Sequence, residues 1–121
     1  MRAELRGLDS PDLPSFPSGG PDDPLQFTVM IEASIGVVGQ PGVDAFSLMV
    51  SSPSDTDPSV TAAGYIWIGR RLVVSRYDVE VIRRAVANLC DGAEGRNWRE
   101  LAEFLGRSLY CEFDSYDAGR T

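Results

Sequence analysis

The chain contains no histidine and no lysine, and all eleven of its cations are arginine. Without histidine it lacks the commonest general base and the commonest metal ligand. Without lysine it can form no side-chain Schiff base and has no P-loop phosphate ligand. No apolar run reaches the roughly eighteen residues that a transmembrane helix needs. The opening stretch, M-R-A-E-L-R-G-L-D-S, has no apolar region of the kind a secretory signal carries. The expectation is a cytoplasmic protein with no membrane partner. Cysteine is scarce, with Cys90 and Cys111 alone. A cytoplasmic setting keeps thiols reduced, and no histidine is present to draw either into a nucleophilic thiolate. Cys90 reads as a small buried hydrophobe beside the apolar stripe of a helix.

What is present describes one domain spanning residues 1–121. A chain of 121 residues buries roughly two-thirds of its unfolded surface on folding, enough for a core without staples. Eighteen acids against eleven arginines leave a net charge of −7. That balance repels nucleic acid and steers a basic protein partner inward. Solubility alone would also account for it.

Residues 2–9 alternate as a strand, with Ala3 and Leu5 on one face and Arg2, Glu4 and Arg6 on the other. Residues 10–24 carry five prolines and two glycines and read as a long loop that Phe16 anchors. The strongest strand signal follows. Phe27, Val29, Ile31, Ala33 and Ile35 fall on one face, and Gln26, Thr28, Met30, Glu32 and Ser34 on the other. The alternation resumes at Phe46, Leu48 and Val50, opposite Ser47, Met49 and Ser51, which predicts an antiparallel hairpin. Residues 51–64 are small and polar and read as a second, mobile loop. Leu72, Val73 and Val74 in a row predict a strand buried on both faces. Tyr65 to Ile68 belong either to that strand or to a separate one broken at Gly69.

The period then becomes helical. Asp78 is an N-cap, and Val79, Ile82, Val86 and Leu89 form a stripe flanked by Ala85 and Cys90. Asn97 caps a second helix, with Glu100 spaced for a capping box and Trp98, Leu101, Ala102, Leu105 and Leu109 as its apolar stripe. Glu103 and Arg107 are spaced as an ion pair. Strands first and helices last predict an α+β fold. It has an antiparallel sheet of three or four strands with two C-terminal helices on one face. The segment L-Y-C-E-F-D-S-Y, residues 109–116, closes the core, with Tyr110, Cys111 and Phe113 packed on the sheet and Glu112 tied by hydrogen bonds or an arginine. Residues 117–121 read as a frayed tail.

Candidate chemistry is thin. Gly36, Gly39 and Gly42 join strand to strand, so the helix N-terminus that a phosphate cradle needs is missing and a turn device is the better reading. The acid pairs Asp22 with Asp23 and Asp55 with Asp57 lie in polar loops, without the calcium-loop pattern. Arg70, Arg71, Arg76, Arg83 and Arg84 cluster in sequence. They read as surface pairs for acids, because a phosphate-binding role has no motif behind it. Tyr65 and Trp67 border the second loop. They are either binding hot spots or one core residue and one edge cover. No catalytic residue, cofactor or metal site is expected.

Several stretches together resemble the immunity protein 8 family. They are Ala33 to Val50, then Leu72 to Asp78 opening a helix with Ile82, then Asn97-Trp98-Arg99-Glu100-Leu101-Ala102, and finally Glu112-Phe113 followed by Tyr116. The likeness covers almost the whole chain. One position departs from it: where members often carry tryptophan before the Glu-Phe pair, this chain has Cys111 beside Tyr110. The resemblance implies an α+β immunity protein of a bacterial polymorphic toxin system, encoded beside a toxin that it blocks. It fits a chain with no catalytic set and an acidic balance suited to a basic toxin such as a nuclease. The expected partner is the cognate toxin domain, met by a monomer or weak dimer through Asp44, Asp55, Asp57, Tyr65 and Trp67. Trp98, Glu112 and Phe113 are expected to be structural. The competing reading is a small acidic chaperone for a secreted effector.

Overall fold

A computed structural model describes residues 1–111 of the chain. The elements run β1 (Ala3–Asp9), β2 (Thr28–Val37), β3 (Asp44–Ser51), β4 (Tyr65–Ile68), β5 (Arg71–Val74), α1 (Val79–Asp91), α2 (Trp98–Leu105) and β6 (Tyr110–Cys111). The α+β class and both helices match the sequence reading. The sheet does not match it fully. It has six strands in the order β1-β2-β3-β5-β4, with β6 also on β3, and the β3–β5 pair is parallel.

The difference has a physical cause. β4 and β5 are separate strands that form a hairpin across Gly69, which sits at φ +58°. Leu72, Val73 and Val74 of β5 are fully buried, whereas all four residues of β4 are half-buried. β5, with its compact aliphatic run buried on both faces, takes the interior place, and β4 with its two large aromatics becomes the edge. With β4 outside, β5 meets β3 running the same way. β6 has only two residues, too few for any periodic signal.

The hairpin β2–β3 follows the expected alternation. Val29, Ile31, Ala33 and Ile35 of β2 and Phe46, Leu48 and Val50 of β3 are buried on one face. They share one core with Ile82, Ala85, Val86 and Cys90 of α1 and with Leu101, Leu105 and Leu109. α1 touches β1 at one side of the sheet and β4 and β5 at the other, so it crosses the sheet. Its buried stripe is turned slightly from the expected one, with Ala85 and Cys90 fully buried and Leu89 only half-buried.

The caps are as the sequence indicates. Asp78 accepts from the Glu80 amide and Asn97 from the Glu100 amide. Glu100 reaches back one residue further than in a capping box, to the Arg96 amide at 3.1 Å. The expected Glu103–Arg107 pair does not form. α2 ends at Leu105, so Arg107 lies beyond helical spacing. Glu103 instead lies 3.7 Å from Arg99, and Arg107 stands over the Phe104 ring.

The loop over 10–24 runs along β2 past the end of β1. The Ser10 hydroxyl donates to the Met30 carbonyl at 2.6 Å, and the Asp12 carboxylate accepts from the Met30 amide at 2.7 Å. Side chains thus continue the ladder where the β1 backbone has left it. Leu13 is buried and Phe16 packs on the core behind it.

Phe46→Ala should reduce the unfolding free energy by about 3–5 kcal/mol, since it empties a fully buried aromatic site. Val38→Ala, at an exposed position, should change it by under about 0.5 kcal/mol. Urea denaturation of the two variants checks the contrast.

Candidate protein-binding surface

The structure spreads the anticipated contact residues over separate places. Asp44 opens β3, is exposed, and borders a groove of about 290 Å³ with Trp98, Pro41 and Val43. Tyr65 and Trp67 lie at the opposite end, because β5 meets β3 only from Met49 onward and β4 lies outside β5. Strand alternation puts these two aromatics on the same side, and both pack half-buried against the core. The Tyr65 hydroxyl accepts from the Asn88 amide at 3.3 Å. Asp55 is exposed in a turn. Trp98 meets Phe46 edge-on, with ring centroids 6.1 Å apart. Glu112, Phe113 and the tail at 117–121 lie outside the described residues.

Asp57 is engaged within the fold. Its two carboxylate oxygens accept from both terminal nitrogens of Arg71 at 3.0 and 2.7 Å, and one also accepts from the Ser54 amide at 2.9 Å. Its side chain is 8% exposed. Arg71, and then Ser54, hold this carboxyl well below the usual carboxylate range. Arg71 also donates to the Ser51 hydroxyl at 2.9 Å, so the second loop is fastened to β3 and β5 at its middle.

Other arginines of the sequence cluster are likewise occupied. Arg83 pairs with Glu80 one turn back on α1. Arg70 donates to the Gly106 carbonyl at 2.8 Å and stands 4.9 Å from the centre of the Tyr110 ring. Tyr110 pairs through its backbone with Ser47, but the residue stays 45% exposed, against the expectation that it packs the chain end. The reason is register: a residue opposite Ser47 faces away from the core.

The glycine-rich connection from β2 to β3 is a turn held by one side chain. Arg6 sits at a β-bulge between Leu5 and Gly7. Its guanidinium donates to the carbonyls of Gly42, Val37 and Gln40, each at 2.7 Å, and to Glu4 at 3.0 Å. Gly36 lies beneath it, and a Cβ there would come within 2.6 Å of both the guanidinium carbon and the Gly42 oxygen. Gly39 and Gly42 adopt φ values of +82° and +92° that favour glycine. The turn thus presents carbonyls inward to a cation rather than amides to a phosphate, and the exposed Val38 and Val43 flank its tip.

Among the described residues, the second face of the sheet is exposed at Thr28, Met30 and Glu32 of β2, while at its β5 end Ser51 and Val73 are buried. In one cross-strand row lie Asp9 of β1, Glu32 of β2, Ser47 of β3 and Tyr110 of β6, each opposite the next. The neighbouring row holds Met30 opposite Met49, with Met30 37% exposed. On the other side lie Gly7, Ser34 and Ala45. Asp9 and Glu32 are exposed, and neither has an arginine within 4.0 Å among the described residues. The alternation of the hairpin identified Met30, Glu32, Ser47 and Met49 as outward residues. Nothing in it said that no helix would cover them.

Cys90 and Cys111 are both free and buried, and burial, followed by the Asp91 charge, pushes the Cys90 thiol up to about 12. Among the described residues no three acids or cysteines cluster as a metal would require, and no helix is long and apolar enough to cross a membrane.

Two outcomes follow from these geometries. A thiol reagent at pH 8 should label Cys90 only after denaturant is added. For Asp57, the folded value is depressed, so its contribution to stability is fully present above its ordinary value of 3.8 and is lost as pH falls below it. Asp57→Asn should therefore lower the urea midpoint at pH 7 and flatten its decline between pH 5 and pH 2.

The family model for immunity protein 8 matches residues 3–116. Comparison with curated proteins finds no match, and comparison with solved structures finds none. Covering nearly the whole chain, the match to residues 3–116 shows that this protein belongs to the immunity protein 8 family.

Proposed function

We propose that this chain neutralises a cognate toxin of a bacterial polymorphic toxin system by binding the toxin domain and masking its active face. Family membership carries the reading, since an immunity protein implies a toxin as its protein partner. The net charge of −7 supports it. A toxin that acts on nucleic acid must present a basic face to phosphates, and an acidic inhibitor complements that face and meets it quickly. The inhibitor works as a monomer or weak dimer by occlusion in the cytoplasm of the producing cell, and its own chemistry is confined to binding.

Of the residues anticipated from sequence, Asp44 and Asp55 keep exposed carboxylates and remain proposed contacts. Asp57, Tyr65 and Trp67 serve that contact indirectly, by holding the second loop and the β4 edge in shape.

Co-expression with the toxin domain of the neighbouring gene should restore growth, and the purified pair should bind with a Kd on the order of nanomolar. Raising salt from 50 to 500 mM should weaken binding about tenfold, mainly by slowing association. A partner that is bound and kept soluble but still kills would favour the chaperone reading instead.

A further inference from the structure

The open face of the sheet has properties that the fold itself does not require. Asp9 and Glu32 stand directly opposite each other on adjacent strands, and like charges in that position destabilise a sheet. The chain has eleven arginines, yet among the described residues three that border this face have other partners. Arg6 holds the β2–β3 turn, Arg71 holds Asp57, and Arg70 is stacked on Tyr110 at the far rim. The same row ends in Tyr110, a residue type over-represented among binding hot spots. Beside the row lie two opposed methionines, whose flexible side chains suit a contact surface. On the other side of the row, the small residues Gly7, Ser34 and Ala45 add little bulk beside it.

We propose that this face, centred on Asp9, Glu32, Met30, Met49 and Tyr110, is the surface that receives the toxin. The inference rests on the reading of the chain as an immunity protein. The occupant is a basic protein domain that places an arginine or lysine between the Asp9 and Glu32 carboxylates. Charge complementarity selects that occupant. The bound cation converts a repulsive pair into a bidentate site, while Met30, Met49 and Tyr110 supply the apolar centre beside it. From β1 across β2 and β3 to β6 the row spans about 15 Å, at about 4.8 Å per strand. It makes the middle of an interface, and the hairpin tip with Val38 and Val43 extends the contact at one end.

The site is built for binding at some cost to the free protein, and the two effects separate in one experiment. Binding of the neighbouring gene's toxin domain is measured by calorimetry for the wild type, Glu32→Gln, Glu32→Arg, Met49→Glu and, as a control on the helical side, Glu103→Arg. Thermal melts accompany each. Glu32→Gln and Glu32→Arg relieve the repulsion with Asp9, so their melting temperatures should equal or exceed the wild type while their Kd rises at least tenfold. Met49→Glu should also raise Kd at least tenfold, and Glu103→Arg should leave it within twofold. If the wild type binds and the Glu32 variants bind within twofold of it, this surface is wrong and the immunity reading stands. If the wild type itself neither binds nor protects, the immunity reading fails and the surface assignment with it.

Discussion

β3 lies inside the sheet, and both of its edges carry backbone donors and acceptors that must be paired. β2 closes one edge along the full length of the strand. The other edge is closed by two short pieces from distant parts of the chain: β5 along Met49 to Ser51, and β6 along Phe46 and Ser47. Bringing both to one edge constrains everything after β3. The second loop must carry the chain outward so that β4 can return as the edge and β5 can enter in parallel. The two helices must then cross the core face and deliver Tyr110 and Cys111 back to β3. Arg70 stands where the two pieces come together, bonded to the Gly106 carbonyl just before β6 and stacked on the Tyr110 ring.

The arginines complete this design. Three of them do internal work that neutral side chains could not. Arg6 gathers three turn carbonyls, Arg71 anchors the second loop through Asp57, and Arg70 holds the approach to β6. A planar fork of donors suits each of these tasks better than an ammonium would. Their commitment has an electrostatic consequence. The guanidinium groups of Arg6, Arg70 and Arg71 are engaged in structure, and among the described residues Asp9 and Glu32 have no arginine within 4.0 Å. A domain of net charge −7 therefore concentrates unpaired negative charge on a surface that is also partly apolar, which is the combination a basic protein partner meets best.

Much of this was legible in the residues. Alternation of period two placed Val29, Ile31, Phe46 and Leu48 inward and Met30, Glu32, Ser47 and Met49 outward, because a pleated strand leaves a side chain no third choice. The caps Asp78 and Asn97 and the buried run Leu72 to Val74 were readable for equally local reasons. Other features depend on distance in sequence. Nothing near Arg6 announces that it will fold over a turn more than thirty residues away. Asp57 looked like a free loop acid because its partner lies fourteen residues on. Tyr65 and Trp67 looked like alternative occupants of core and surface, whereas residues two apart on one strand must share a side.

By itself, then, the sequence determined the class of the fold, the inward and outward faces of its main hairpin, the helix starts, the charge, and the family to which the chain belongs. These follow from local periodicity, capping chemistry and residue counts, none of which requires knowing what lies across the molecule. Only the tertiary structure decided which strand became an edge, that β5 runs parallel to β3, which acids were paired with arginines, and which outward residues among those described stayed exposed. Those outcomes turn on competition between segments for the same edge of β3 and the same few cations, and such competition is settled only when the whole chain has packed.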